Sequence, residues 1–178
     1  MSRLHSQSAS DATGQAAELF AGIRKSIGKV PNAYADIGTN SPLALGAMLA
    51  LDGAIARSSL SKQEVELIKL AVSQEKGCDY CVAAHTFVGG HVGLDKESIL
   101  GARFGGHEQQ PRHEVLTRFV RELSRAQGTV PAEQVLSLQE AGYTDQQIVD
   151  ALLVVAAITF TNAFNRVNDT TLDFPAAD

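Results

Sequence analysis

Helix openings and stops follow one another along this chain so closely that an all-helical fold is the only regular architecture they allow. Asn40-Ser41-Pro42 is a helix start, with Ser41 at the N-cap and proline at the first helical position, where its missing N–H costs nothing. Ser61 with Glu64 three residues on forms a capping box, and Gly77 closes the helix that follows. Thr144 opens the last and longest helix, which runs to about Asn168. Between these marks apolar residues recur at helical spacing, as at Ala16, Leu19, Phe20, Ile23 and Ile27. Helices are expected over residues 15–27, 42–56, 62–76, 79–92, 95–104, 111–127, 131–141 and 145–168. No stretch alternates apolar and polar residues as a half-buried strand would. The expectation is one all-α domain over residues 15–178, after a polar, Ser-rich tail over 1–14 that is expected to be disordered.

A chain of 178 residues with 44% hydrophobic content can bury one substantial core. The net charge of −5 and the lack of a basic cluster argue against nucleic-acid binding. The N-terminal stretch has no apolar segment of the secretory type. The longest apolar run, Ala151 to Ile158, falls well short of the roughly 20 residues that span a bilayer. A cytoplasmic protein is therefore expected. Thiols stay reduced in the cytosol, so a lone CxxC there points to redox chemistry or metal binding before a structural disulfide.

Cys78-Asp79-Tyr80-Cys81 is that pair, and His85 follows four residues on. On a helix, Cys81 and His85 lie one turn apart on one face, and Cys78 lies one turn before Cys81. Thiol redox chemistry needs a thiolate to attack, a second thiol to resolve and a base to move the proton. Gly77 ends one helix and the next begins at once, so the pair sits where unpaired N–H groups and the helix dipole favour a thiolate. His85 can take the proton from Cys81, which points to Cys81 as attacker and Cys78 as resolver. Cys78 is nearer the helix start and feels the same dipole, so the reverse order stays open. Glu66, twelve residues before Cys78, could orient His85 or pass a proton. Spacing alone favours a plainer Glu66, on the surface and paired with Lys62 or Lys69.

The remaining histidines carry less. His91 near the end of its helix suits an interaction with the dipole, His5 lies in the tail, and His107 and His113 flank a Gly-rich loop where solvation is expected. Zinc held by Cys78, Cys81, His85 and His91 would need every ligand on one helix, whereas structural zinc takes ligands from separated pairs. Asn162, Asn165 and Asn168 repeat every three residues in the last helix. They read as solvated or capping residues, or as a hydrogen-bonded subunit contact. The apolar stretch before them reads as core or subunit interface.

Glu66, Cys78-x-x-Cys81 and His85 in this spacing resemble the signature of the AhpD-like alkylhydroperoxidases of the carboxymuconolactone decarboxylase superfamily. Leu19-Phe20 through Val30-Pro31-Asn32 resembles the opening of that family's peroxidase-related branch. Phe160-Thr161-Asn162-Ala163-Phe164-Asn165-Arg166-Val167-Asn168-Asp169 and Asp173-Phe174-Pro175 resemble its ending. The resemblance implies an AhpD-like helical bundle and a peroxidase that reduces hydrogen peroxide or organic hydroperoxides. Cys81 would become a sulfenic acid, Cys78 would condense with it to a disulfide, His85 would activate Cys81, and Glu66 would start a proton relay. No metal, haem or flavin is implied. A lipoyl-carrying protein, a thioredoxin-like protein or a small thiol would restore the dithiol. A homo-oligomer, trimer or hexamer, is implied as well. One position departs from the pattern: Tyr80 stands where well-known members carry a relay histidine, and a phenol with pKa near ~10 is a poor base. A water bridging Glu66 and His85 would then be one substitute. The rival activities are dithiol–disulfide exchange on protein partners and redox sensing. A decarboxylase is disfavoured, because that branch generally lacks the CxxC.

Overall fold

The computed structural model describes residues 2–106 and 110–177, and among them it contains nine helices and no strand. These are α1 (Gly14–Ile27), α2 (Asn32–Asn40), α3 (Pro42–Ile55), α4 (Lys62–Lys76), α5 (Asp79–His91), α6 (Lys96–Phe104), α7 (Pro111–Arg125), α8 (Ala132–Glu140) and α9 (Asp145–Asn168). His107 lies outside the described residues.

The start signals act as their chemistry requires. Ser41 Oγ accepts the Ala44 N–H at 3.1 Å. Ser61 and Glu64 close the reciprocal capping box of α4, and Thr144 and Gln147 do the same for α9. One helix, α2, had no signal strong enough to be expected. Its apolar face is only Ala33, Ile37 and part of Tyr34, and Asp36 sits where an apolar residue would have completed the pattern. That aspartate is 2% exposed. Its carboxylate accepts from Ser2 and Ser6 hydroxyls at 2.8 and 2.6 Å and from the Asn168 amide at 2.7 Å, so a polar network replaces the expected apolar packing.

α4 is the central element. Leu67, Ile68, Leu70, Ala71 and Val72 are fully buried, because α5, α6, α7 and α9 all pack against this helix. A helix covered on several sides can afford polar residues only where each finds a partner, and the site draws on that constraint.

α9 is, as a whole, long and apolar enough by length and composition to cross a membrane, which its eight-residue apolar run does not reveal. Here it packs against α2, α3, α4 and α5, burying Ala151, Val154, Ala157 and Ile158 together with Asn162, Asn165 and Asn168. Its outer face exposes Val149, Leu152, Phe160 and Val167.

Candidate active site

The site begins at the turn between α4 and α5. Gly77 takes a left-handed conformation (φ 61°) that a residue with a Cβ adopts at a cost. The turn lets the Cys78 N–H reach back to the Ser73 carbonyl at 3.1 Å and starts α5 immediately. Cys78 is the N-cap, and its Sγ accepts the Cys81 N–H at 3.3 Å. The two cysteines form a disulfide with Cα atoms 5.3 Å apart, and each residue is 2% exposed.

One turn further, His85 Nδ1 lies 2.7 Å from Glu66 Oε2. Glu66 is buried, and its other oxygen is 3.4 Å from Lys69 Nζ. The surface role that spacing favoured therefore fails, although its Lys69 partner is real. Glu66 meets His85 directly, so neither a tyrosine nor a water needs to link them. Burial pushes the Glu66 carboxyl up, but the field and hydrogen bond of His85, with those of Lys69, outweigh it and hold the group at about 2. With Glu66 ionised, His85 donates from Nδ1 and keeps Nε2 as its acceptor.

A pH dependence follows. The unfolded chain takes up a proton at Glu66 near the ordinary value of 4.5, whereas the folded chain holds out to about 2. The native state binds fewer protons across that window, so this contribution to stability is complete above it and is lost as the pH falls through it. Acid unfolding of the wild-type chain should therefore be steeper between those values than that of Glu66→Gln. Parallel stability-against-pH curves, measured by urea unfolding, would remove this carboxylate from the account.

Tyr80 does not stand between Glu66 and His85. Its hydroxyl donates to Asp173 Oδ1 at 2.7 Å and accepts the Ala33 N–H at 3.2 Å. Burial raises its pKa far above the ordinary value, and the neighbouring Asp173 adds to the rise, although the Ala33 bond opposes it. The phenol stays protonated and acts as a tie. It fixes the segment after α9, where Asp173 also meets Lys29 Nζ at 3.2 Å and the Asn32 N–H at 3.2 Å. Phe174 packs edge-on against Tyr80 with centroids 5.8 Å apart, and Lys29 Nζ lies 4.2 Å from the Phe174 ring centre.

This segment completes the wall of a cavity of about 230 Å³. Cys81, His85 and Asn165 line it, with Tyr34, Met48, Phe87, Ile158 and Phe174 among the residues that make most of its surface apolar. Cys78 is not among the lining residues. The asparagine stripe is neither solvated nor free for a subunit contact. Asn162 Oδ1 accepts from Ser73 Oγ at 3.1 Å, Asn165 Nδ2 donates to Cys81 Sγ at 3.3 Å, and Asn168 holds Asp36. Of the other histidines, His91 Nδ1 faces the Phe87 carbonyl at 2.8 Å, within its own helix end.

Sequence reasoning missed Asn165 as a neighbour of sulfur, and it missed Tyr34, Asp52 and Phe174 as wall. The period of three was visible, but not which way the stripe faced. The wall residues come from α2, α3 and the last segment, and only packing brings these together.

Fold and site define an all-helical protein built around a CxxC pair at a helix start, backed by a buried carboxylate–imidazole pair. Residues 42–105 match the carboxymuconolactone decarboxylase family. The structure is similar to the alkylhydroperoxidase AhpD core of a peroxidase-related protein from Ralstonia eutropha JMP134 (TM-score 0.84, 20% identity, 97% of this chain and 92% of that one). It is also similar to a protein of unknown function from Agrobacterium tumefaciens (TM-score 0.71, 24% identity, 77% and 95%) and to the debrominase Bmp8 (TM-score 0.79, 19% identity, 96% and 92%). No curated protein matches the sequence. The match over residues 42–105 and the likeness to these structures support an AhpD-like helical architecture.

Proposed function

We propose that this protein is a cytoplasmic, thiol-dependent peroxidase that reduces hydrogen peroxide or organic hydroperoxides through a Cys78–Cys81 disulfide cycle. The observation that carries the reading is the cavity, which admits a small apolar molecule to Cys81 and His85 while Cys78 stands outside its lining. His85 Nε2 takes the Cys81 proton, and the ionised Glu66 stabilises the imidazolium that results. The thiolate attacks the distal oxygen of ROOH. The O–O bond breaks, Cys81 becomes a sulfenic acid, and the alkoxide takes the proton back from His85 and leaves as ROH. The Cys78 thiol then attacks Cys81 sulfur, the new S–S bond forms, and the hydroxyl leaves with the Cys78 proton as water. A dithiol returns two electrons and two protons. A lipoyl-carrying protein, a thioredoxin-like protein or a small thiol would serve.

The largely apolar cavity beside Cys81 and His85 favours a small-molecule oxidant over a protein disulfide, the rival reading. Dehalogenation, the activity named for one similar structure, rests here on likeness of fold alone. The exposed apolar residues Val149, Leu152, Phe160 and Val167 of α9 support a homo-oligomer, trimer or hexamer.

The test is a free-thiol count on reduced, metal-free protein after one equivalent of cumene hydroperoxide. Both thiols of each chain should disappear rapidly and return on adding a dithiol. Thiols that survive the peroxide but vanish with a protein disulfide would transfer the reading to the oxidoreductase.

A further inference from the structure

One polar side chain outside the Glu66–His85 pair meets the reacting sulfur directly. Asn165 is 4% exposed and lines the cavity. Its Nδ2 donates to Cys81 Sγ at 3.3 Å. Asn162, one turn earlier, turns its Oδ1 to Ser73 and is not among the residues that line the cavity.

We infer that Asn165 is a catalytic residue that stabilises the Cys81 thiolate through Nδ2. The inference deepens the peroxidase reading, but the contact with sulfur stands without it. A disulfide sulfur is a weak acceptor, and a thiolate is a strong one. The Nδ2–H bond therefore strengthens when the disulfide is reduced and weakens as the sulfur is oxidised. It favours the thiolate over both thiol and disulfide, and so raises the share of Cys81 that can react. His85 and Asn165 then act on one sulfur from different helices: α5 supplies the base, and α9 supplies a fixed dipole that needs no proton.

The experiment uses the full chain, reduced, in a Cys78→Ser background, so that Cys81 is the only thiol. The rate of alkylation by iodoacetamide is followed against pH for Asn165 and for two near-isosteric variants, Asn165→Leu and Asn165→Asp. Loss of a hydrogen bond to a charged group should raise the alkylation midpoint by about one pH unit, which is about tenfold less thiolate at any pH well below it. Asn165→Asp, which places a carboxylate beside the thiolate, should raise it further. If Asn165 serves only packing, the variants lower thermal stability but leave the midpoint where it was, and that result overturns the inference. The same samples are then mixed with cumene hydroperoxide at neutral pH, below the midpoints expected for the variants. Sulfenic acid should form on Cys81 more slowly in both variants, in step with their lower thiolate content, and rates equal to that of the parent would overturn the inference. If the parent forms no sulfenic acid at all, the peroxidase reading fails, and the alkylation midpoints still decide the contact with sulfur.

Discussion

Cys81→Ser should abolish turnover of an organic hydroperoxide, whereas Cys78→Ser should consume one equivalent per chain and stop at a sulfenic acid on Cys81. Both cysteines are equally buried, so the difference is expected from placement and not from exposure. Cys81 faces the cavity, beside His85 and Asn165. Cys78 caps α5 and accepts the Cys81 N–H, so it lies next to the nucleophile without lying next to substrate. A resolving thiol needs that arrangement, being close to the sulfenic sulfur and unable to compete for peroxide. A dimedone adduct, located by peptide mass, distinguishes the two. An adduct on Cys78 in the Cys81→Ser chain would reverse the order of attack and resolution.

His85→Ala should slow hydroperoxide reduction by roughly a hundredfold or more at neutral pH, the scale usual for loss of a positioned base. The alkylation midpoint of Cys81 should rise in the same variant, because its proton acceptor has gone. Two features make the effect large. The Glu66 carboxylate at 2.7 Å fixes which ring nitrogen carries the proton, and Glu66, itself buried, holds the imidazole in one orientation. An alkylation profile identical to that of the parent would remove His85 from the mechanism.

Much of the fold could be read from the chain because its signals are local. A serine at an N-cap, a capping-box glutamate and a left-handed glycine act within four residues, and each produced the element it announces. The one helix that escaped, α2, is stabilised by partners far off in the chain: Asp36 binds Ser2, Ser6 and Asn168. The site divides in the same way. Cys78, Cys81 and His85 lie on a single helix and its cap, so their spacing placed them. Glu66 was undecided because the same spacing suits a surface ion pair, and only the packing of α4 against α5 turns it inward. Tyr80 shows the opposite limit. Its motif position left its role open, and the partner its hydroxyl finds, Asp173, is 93 residues away.

The segment beyond α9 has a consequence for how molecules reach the sulfur. Phe174 is wall, yet the stretch that carries it has no helical ladder of its own. It is held at Asp173 by Tyr80, Lys29 and the Asn32 N–H, and at Thr171 by the Asn32 side chain. Such contacts are worth on the order of 1 kcal/mol each, far less than the packing of a buried helix. The chamber over Cys81 is therefore latched and not welded: one side can swing clear while the helices that hold the chemistry stay in register.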